Sequence, residues 1–192
     1  CADADEPHRT ILGAAQRDWL LDGLKKSKSQ WNVLAQQVLM AKVGRPMEDG
    51  RMGYGMDVWN GYGADRDRVL KFLYEQQISN PVVITGDIHS HWANNLLLNG
   101  DDPASPVVAP EFVGTGLSST GDGRDDHVDA IYSAFPAVKY HVRKSGYVAC
   151  EIMPTEWRAN YRIMDYVTRP GAPLLTPAKF VVPAGHRQLE PA

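Results

Sequence analysis

Cysteine is scarce in this chain. Its 192 residues include only Cys1 and Cys150, with no CxxC spacing, which excludes a disulfide-dense framework and says little about redox compartment. A Cys1–Cys150 bridge is open on number alone, although terminal residues are usually mobile. Cys150 lies in the apolar stretch Tyr147-Val148-Ala149-Cys150-Glu151-Ile152 and is expected to be a buried structural thiol. Long hydrophobic runs are also missing. No uncharged apolar stretch approaches the roughly 18 to 20 residues that span a bilayer, and the opening Cys1-Ala2-Asp3-Ala4-Asp5-Glu6 has neither the basic nor the apolar region of an export signal. There is no excess of positive charge: 20 Lys and Arg against 23 Asp and Glu give a net charge of -3. No global field therefore attracts nucleic acid or anionic lipid, and a polyanionic partner must be recognised locally. The Walker A loop, the dinucleotide fingerprint and the G-x-S-x-G elbow are absent too, which removes support for nucleotide-driven chemistry and for a serine nucleophile.

The chain holds ordinary globular material, 43% hydrophobic and 22% charged, and it shows no internal repeat or convincing linker. Ala14 to Lys26 reads as an amphipathic helix through Trp19, Leu20, Leu21 and Leu24. Trp31 to Met40 reads as a buried strand running into a loop. Gly44 to Arg66, with six glycines and Pro46, reads as a long irregular loop of the kind that is usually functional or disordered. Asp65 to Gln77 returns to helical spacing, with Asp65 placed to cap its start. Val82-Val83-Ile84-Thr85 is short, rich in β-branched residues and bounded by Pro81 and Gly86, the pattern of a central strand buried on both faces. Further strands are expected near Val107–Val113, Val138–Val142, Gly146–Ile152, Glu156–Met164 and Lys179–Val182. The expected class is α/β in layers.

The strongest chemical signal follows that central strand: Thr85-Gly86-Asp87-Ile88-His89-Ser90-His91-Trp92. Loops leaving the carboxyl ends of strands in open α/β sheets form the ligand crevice. If the backbone stays extended, residues two apart point the same way, so Asp87 and His89 are expected to face one site and to give one ligand each to two nearby metals. The bland reading makes Asp87 a turn cap and His89 a satisfied imidazole. His91 is weighed as a site neighbour against a hydrogen-bonding or surface role; Ser90 and Trp92 read as turn and packing residues. Gly114-Thr115-Gly116-Leu117-Ser118-Ser119 reads as a turn after the preceding strand, with backbone N–H groups able to approach an anion. Asp125, Asp126, His127 and His141 show no ligand-like pairing with this motif.

Several separated blocks then resemble one family. They are Arg9-Thr10-Ile11-Leu12-Gly13 with Gln16, Trp19 and Leu20; Trp31 to Val38; Asp57-Val58-Trp59-Asn60-Gly61-Tyr62 with Arg66; Asn80 to Ser90 with Trp92-Ala93; Glu111-Phe112-Val113-Gly114; and Gly146-Tyr147-Val148. In order and spacing they resemble the PhoD-like alkaline phosphatases. The resemblance implies a calcineurin-like metallophosphoesterase, a layered αββα sandwich, of which residues 1–192 form the C-terminal part of a single domain. It implies a two-metal centre pairing Fe3+ with Ca2+ or another divalent ion, with His89 on the iron and Asp87 on the divalent ion. Asp57, Trp59, Tyr62 and Arg66 fall in the segment that resembles the active-site mouth, as a substrate rim or as packing.

The family's upstream metal-binding blocks, an acidic first motif, a G-D-x-x-Y segment and an N-D-H-E segment, have no counterpart here. The N-terminal half is therefore expected as a separate piece or as missing, and the non-Met start as the mark of a cut precursor or a renumbered fragment. The implied function of the complete enzyme is hydrolysis of phosphomonoesters and phosphodiesters by a metal-activated hydroxide, outside the cytoplasm in the extracellular or periplasmic space. The alternative is a noncatalytic fragment or binding module that keeps part of the fold.

Overall fold

The computed structural model describes residues 3–123, 132 and 135–192. Cys1, and with it the Cys1–Cys150 bridge, lies outside the described residues, as do Asp125, Asp126 and His127.

Helix α1 covers Ala14–Lys26 as its composition predicts, with Lys25 and Lys26 in the last turn where cations complement the helix dipole. Its amphipathic seam is thinner than expected, because only Leu24 is buried and Trp19 remains 73% exposed. Strand β1, Asn32–Ala35, alternates buried and exposed positions, the signature of a strand covered on one face. The segment predicted as irregular holds a small hairpin, β2 (Arg45–Pro46) with β3 (Met52–Gly53), and a 3₁₀ turn at Trp59–Tyr62. That turn runs directly into helix α2, Gly63–Glu75, two residues before the expected start. Asp65 consequently sits inside the first turn and does not cap it. Its buried carboxylate accepts hydrogen bonds from Thr10 Oγ1, Ile11 N and Leu12 N at 2.5, 3.1 and 3.3 Å and pairs with Arg68 at 2.8 Å, tying the N-terminal segment to α2.

The remaining strands are β4 (Pro81–Thr85), β5 (His91–Leu97), β6 (Val107–Val113), β7 (Val138–Val142), β8 (Ser145–Ile152), β9 (Glu156–Met164), β10 (Leu174–Pro183) and β11 (Glu190–Pro191). They form a five-stranded sheet in the order β1-β4-β6-β5-β7 and a four-stranded sheet in the order β11-β10-β9-β8. In the first, β4 runs parallel to both β1 and β6, while β5 is antiparallel to β6 and β7. The β-branched β4 run is thus the central parallel strand its sequence indicates. β5 has no counterpart among the expected strands: its polar Asn94 and Asn95 break the apolar pattern, yet all seven residues are buried.

Two apolar layers hold the sheets in place. On one face of the five-stranded sheet, Leu24 of α1 and Val69, Leu70 and Leu73 of α2 pack on Leu34, Val83, Trp92, Leu96 and Val113. On the other face, Val82, Ala93 and Phe112 meet Trp157, Ala159, Tyr161, Phe180 and Val182 of the second sheet. Alternation sorts the strands between the layers, so Val82 faces the second sheet and Val83 the helices. The order is helix, sheet, sheet, a mixed α/β arrangement that fits part of a layered sandwich. Cys150 is exposed, contrary to the buried role expected from its apolar neighbours. It lies in β8, the edge of the second sheet, with burial confined to the first two residues of that strand.

Candidate active site

Residues 86–90 connect β4 to β5 at the carboxyl end of the central parallel strand. The turn is fixed from both sides. Gly86 N donates to Gln37 O at 3.2 Å, and Gly114 N donates to Thr85 O at 2.9 Å, so the loops after β1 and β6 flank it. Ile88 N donates to Gly86 O at 2.8 Å, closing a three-residue turn centred on Asp87. The backbone is therefore not extended. Asp87 has φ 67 and His89 φ 54, both in the left-handed region. The strand parity on which a shared orientation was expected is therefore absent, and two left-handed residues flank Ile88 instead. Asp and His adopt this conformation more readily than β-branched residues do, yet each such residue away from glycine still costs about 1 kcal/mol or more. Both side chains are exposed, while Thr85 before them and Ser90 and His91 after them are buried. A carboxylate and an imidazole are thus presented to solvent by a constrained turn on a rigid sheet.

Asp87 lines a cleft of about 420 Å³ together with Asp57, Ile88, Trp92, Tyr132 and residues of the small hairpin. His89 faces the loop after β6: a Cβ built on Gly116 would lie 3.7 Å from its Cδ2. Of the four residues from the glycine-rich segment, only Asp57 shares the Asp87 cleft. Trp59 is buried and donates its indole N–H to Gln36 Oε1 at 2.9 Å. Arg66 is buried against Asn60 Oδ1 and Asp67, and Tyr62 lies under the Arg9 guanidinium at 4.8 Å. His91 lies in β5, fully buried, with its ring edge-on to Tyr161 at 5.4 Å and no well-formed hydrogen bond to either ring nitrogen. Burial depresses its pKa to about 4; the Val113 backbone opposes this and the charge of His141 adds to it. His91 is thus a core residue and does not take the surface role weighed for it.

Beneath the turn lies a residue that the motif alone does not single out. Glu111 is fully buried in β6 and accepts four hydrogen bonds: from Met40 N at 2.8 Å and Thr85 Oγ1 at 2.9 Å on one oxygen, and from Ala41 N at 3.1 Å and Asn94 Nδ2 at 3.0 Å on the other. Desolvation pushes its pKa up, and the four donors oppose that push. The signal in the sequence is a lone carboxylate inside the otherwise apolar strand Val107–Val113, since a buried charge persists only with partners. Among the described residues, no group of three or more His, Cys, Asp and Glu is arranged to hold a metal ion.

The model of the PhoD-like phosphatase family matches residues 1–161. The chain belongs to that family. It is 40% identical over 181 residues to alkaline phosphatase D of Bacillus subtilis (strain 168), a match covering 93% of this chain and 31% of that protein. A solved structure of PhoD superimposes with a TM-score of 0.90 at 38% identity, covering all of this chain and 37% of that one. The PhoD-like chain thus spans about a third of the length of the relatives it matches.

Proposed function

We propose that this chain contributes part of the active site of a phosphoric ester hydrolase acting on phosphomonoesters and phosphodiesters, with Asp87 and His89 as ligands of a two-metal centre. The observation that carries the reading is the 86–90 turn. It presents one carboxylate and one imidazole, both exposed and both in the left-handed conformation, at the carboxyl end of the central strand of a PhoD-like fold. Carboxylate oxygen suits calcium and imidazole nitrogen is a common ligand of iron, and the division between the two ions follows the family resemblance. We assign Asp87 to calcium or another divalent ion and His89 to iron. Such a pair of cations, when bound, makes water nucleophilic at neutral pH and spreads charge from the phosphoryl oxygens.

The remaining steps belong to this chain's own groups. The turn holds the backbone that carries Asp87 and His89, so backbone ordering entropy is spent in folding rather than on ligand binding. Asp57, which lines the same cleft as Asp87, supplies a second negative charge there and favours a cationic counter-group over a second anion. The 114–119 loop against His89 offers backbone N–H groups to phosphoryl oxygens. Two ligands do not complete a two-metal site and no others join them among the described residues, so the remaining ligands would come from other parts of the protein, in keeping with relatives about three times as long. We place the whole protein outside the cytoplasm on the family resemblance. No helix among the described residues is long and apolar enough to cross a membrane.

Asp87→Asn in the intact protein tests the assignment. It keeps size and one carbonyl oxygen but removes the charge that balances a cation, so divalent metal content should fall more than iron content. Unchanged occupancy of both metals, measured by elemental analysis, contradicts the division of roles.

A further inference from the structure

The Asp87 turn has a fixed point beneath it. Thr85 ends β4 two residues before Asp87; Asn94 lies in β5, five residues after His89 and directly opposite Glu111 in the antiparallel register. Both bracket the turn, and both donate to the same carboxylate, Thr85 Oγ1 at 2.9 Å and Asn94 Nδ2 at 3.0 Å. The other two donors, Met40 N and Ala41 N, belong to the loop after β1, and neighbouring Leu39 and Val43 line the Asp87 cleft. A second chain of bonds reinforces the first. Gln36 Nε2 donates to Thr85 Oγ1, which commits the threonine hydrogen to Glu111, and Gln36 Oε1 receives Val38 N at 3.2 Å and the Trp59 indole at 2.9 Å. One carboxylate therefore joins three segments around the turn: the loop after β1, the end of β4 and the middle of β5.

We infer that Glu111 is the positioning residue of this site, holding the Asp87–His89 turn in its left-handed conformation through Thr85 on one side and Asn94 on the other. A carboxylate suits the task because it is acceptor-only, and all four of its contacts are donors. An amide of the same shape would aim an NH₂ group at one pair of those donors. The two side-chain donors to Glu111 lie on the two strands that the turn connects, one residue before it and four residues after it. The inference rests on the reading that Asp87 and His89 serve phosphoester hydrolysis, but its structural half is measurable without that activity.

The test uses the intact protein and compares Glu111→Gln, Thr85→Val and Val108→Ala with the parent. Val108 is a fully buried apolar neighbour in the same strand and serves as a general destabilisation control. Hydrogen exchange is followed in the 86–90 segment at equal distances below each variant's Tm. The Gly86 and Ile88 amides, both hydrogen-bonded in the turn, should exchange about tenfold faster in Glu111→Gln while those of β9 keep their parent rates, because local opening is set by local bonds. Thr85→Val, which removes a single hydroxyl and keeps the fold, should shift the same amides in the same direction by about threefold, and Val108→Ala should not single them out. In p-nitrophenyl phosphate hydrolysis, kcat should fall about 100-fold in Glu111→Gln with KM within about threefold, the mark of displaced catalytic groups.

Exchange at 86–90 that rises no more in Glu111→Gln and Thr85→Val than in Val108→Ala overturns the inference. If Glu111→Gln does not fold, Thr85→Val decides alone. A parent protein that hydrolyses no phosphoester sinks the functional reading, yet the exchange comparison still decides whether Glu111 holds the turn.

Discussion

Replacing His91 with phenylalanine should remove a pH-dependent weakness from the core. The imidazole is fully buried between the sheets, beside Tyr161, and its pKa falls from 6.5 to about 4, chiefly through burial. The Val113 backbone works against that shift and His141 with it. Because the pKa is depressed on folding, the unfolded chain takes up a proton between pH 6.5 and about 4 and the folded chain does not. Stability from this position is complete above pH 6.5 and is lost progressively as pH falls toward 4. At about 1.4 kcal/mol for each tenfold change in proton affinity, the loss approaches about 3 kcal/mol at its fullest. Phenylalanine matches the aromatic shape, has no ring nitrogen to desolvate and cannot be protonated. Urea midpoints measured from pH 4 to 7.5 should show parent and variant diverging as pH falls, the variant gaining most at the acid end. Asp122 and Glu111 titrate in both proteins. The Asp122 carboxyl is held low by Val167 N, Thr168 N and Thr168 Oγ1; the Glu111 carboxyl is pushed up by burial. Their contributions cancel in the difference. Curves that run parallel across the whole range would refute the account of His91.

Further outcomes follow from individual contacts. Trp157→Ala should cost about 3–5 kcal/mol, seen as a large drop in urea midpoint, because the indole fills the layer between the sheets, stacked on Phe112 and edge-on to Trp31. Asp65→Ala should destabilise by about 2–4 kcal/mol and speed proteolysis near residues 9–13, since it strips acceptors from Thr10, Ile11 and Leu12 and leaves Arg68 without its partner. Gly61→Ala should lower Tm strongly, because an added Cβ would sit 1.9 Å from the Met56 carbonyl oxygen, a backbone contact with no side chain to move aside. The isolated chain, assayed against p-nitrophenyl phosphate with iron and calcium added, should show no metal-dependent turnover, as the described residues offer no complete ligand group. Robust turnover from the single chain would contradict that.

Periodicity made much of the fold legible. The helix at Ala14–Lys26 and the strands Val107–Val113, Val138–Val142 and Glu156–Met164 follow from local pattern alone, and the β-branched run before Gly86 announces the central strand. Strand β5 escapes the same reading because Asn94 and Asn95 are polar, and what makes them tolerable is distant: Glu111 accepts from Asn94, and Asn95 accepts from Leu189 N at 3.0 Å. Asp65 misleads for the same reason, since a carboxylate near a helix start suits a cap as well as it suits a tether to Thr10. Of the candidate site, the D-x-H letters are visible in the sequence, but the left-handed backbone that sets their geometry is not. Nothing local forces Asp87 to φ 67; the turn is over-determined by bonds from Gln37, Gly114 and, through Thr85, Glu111.

If His89 and Asp87 hold metal for phosphoester hydrolysis, His89→Ala in the intact protein is the decisive variant. His89 is exposed, so its removal opens no core cavity and the fold should persist with a nearly unchanged Tm. Bound iron should fall and kcat/KM for p-nitrophenyl phosphate should drop by about 100-fold or more, as expected when a metal site loses a ligand. A folded variant with full iron content and parental turnover at saturating metal would contradict that role for His89.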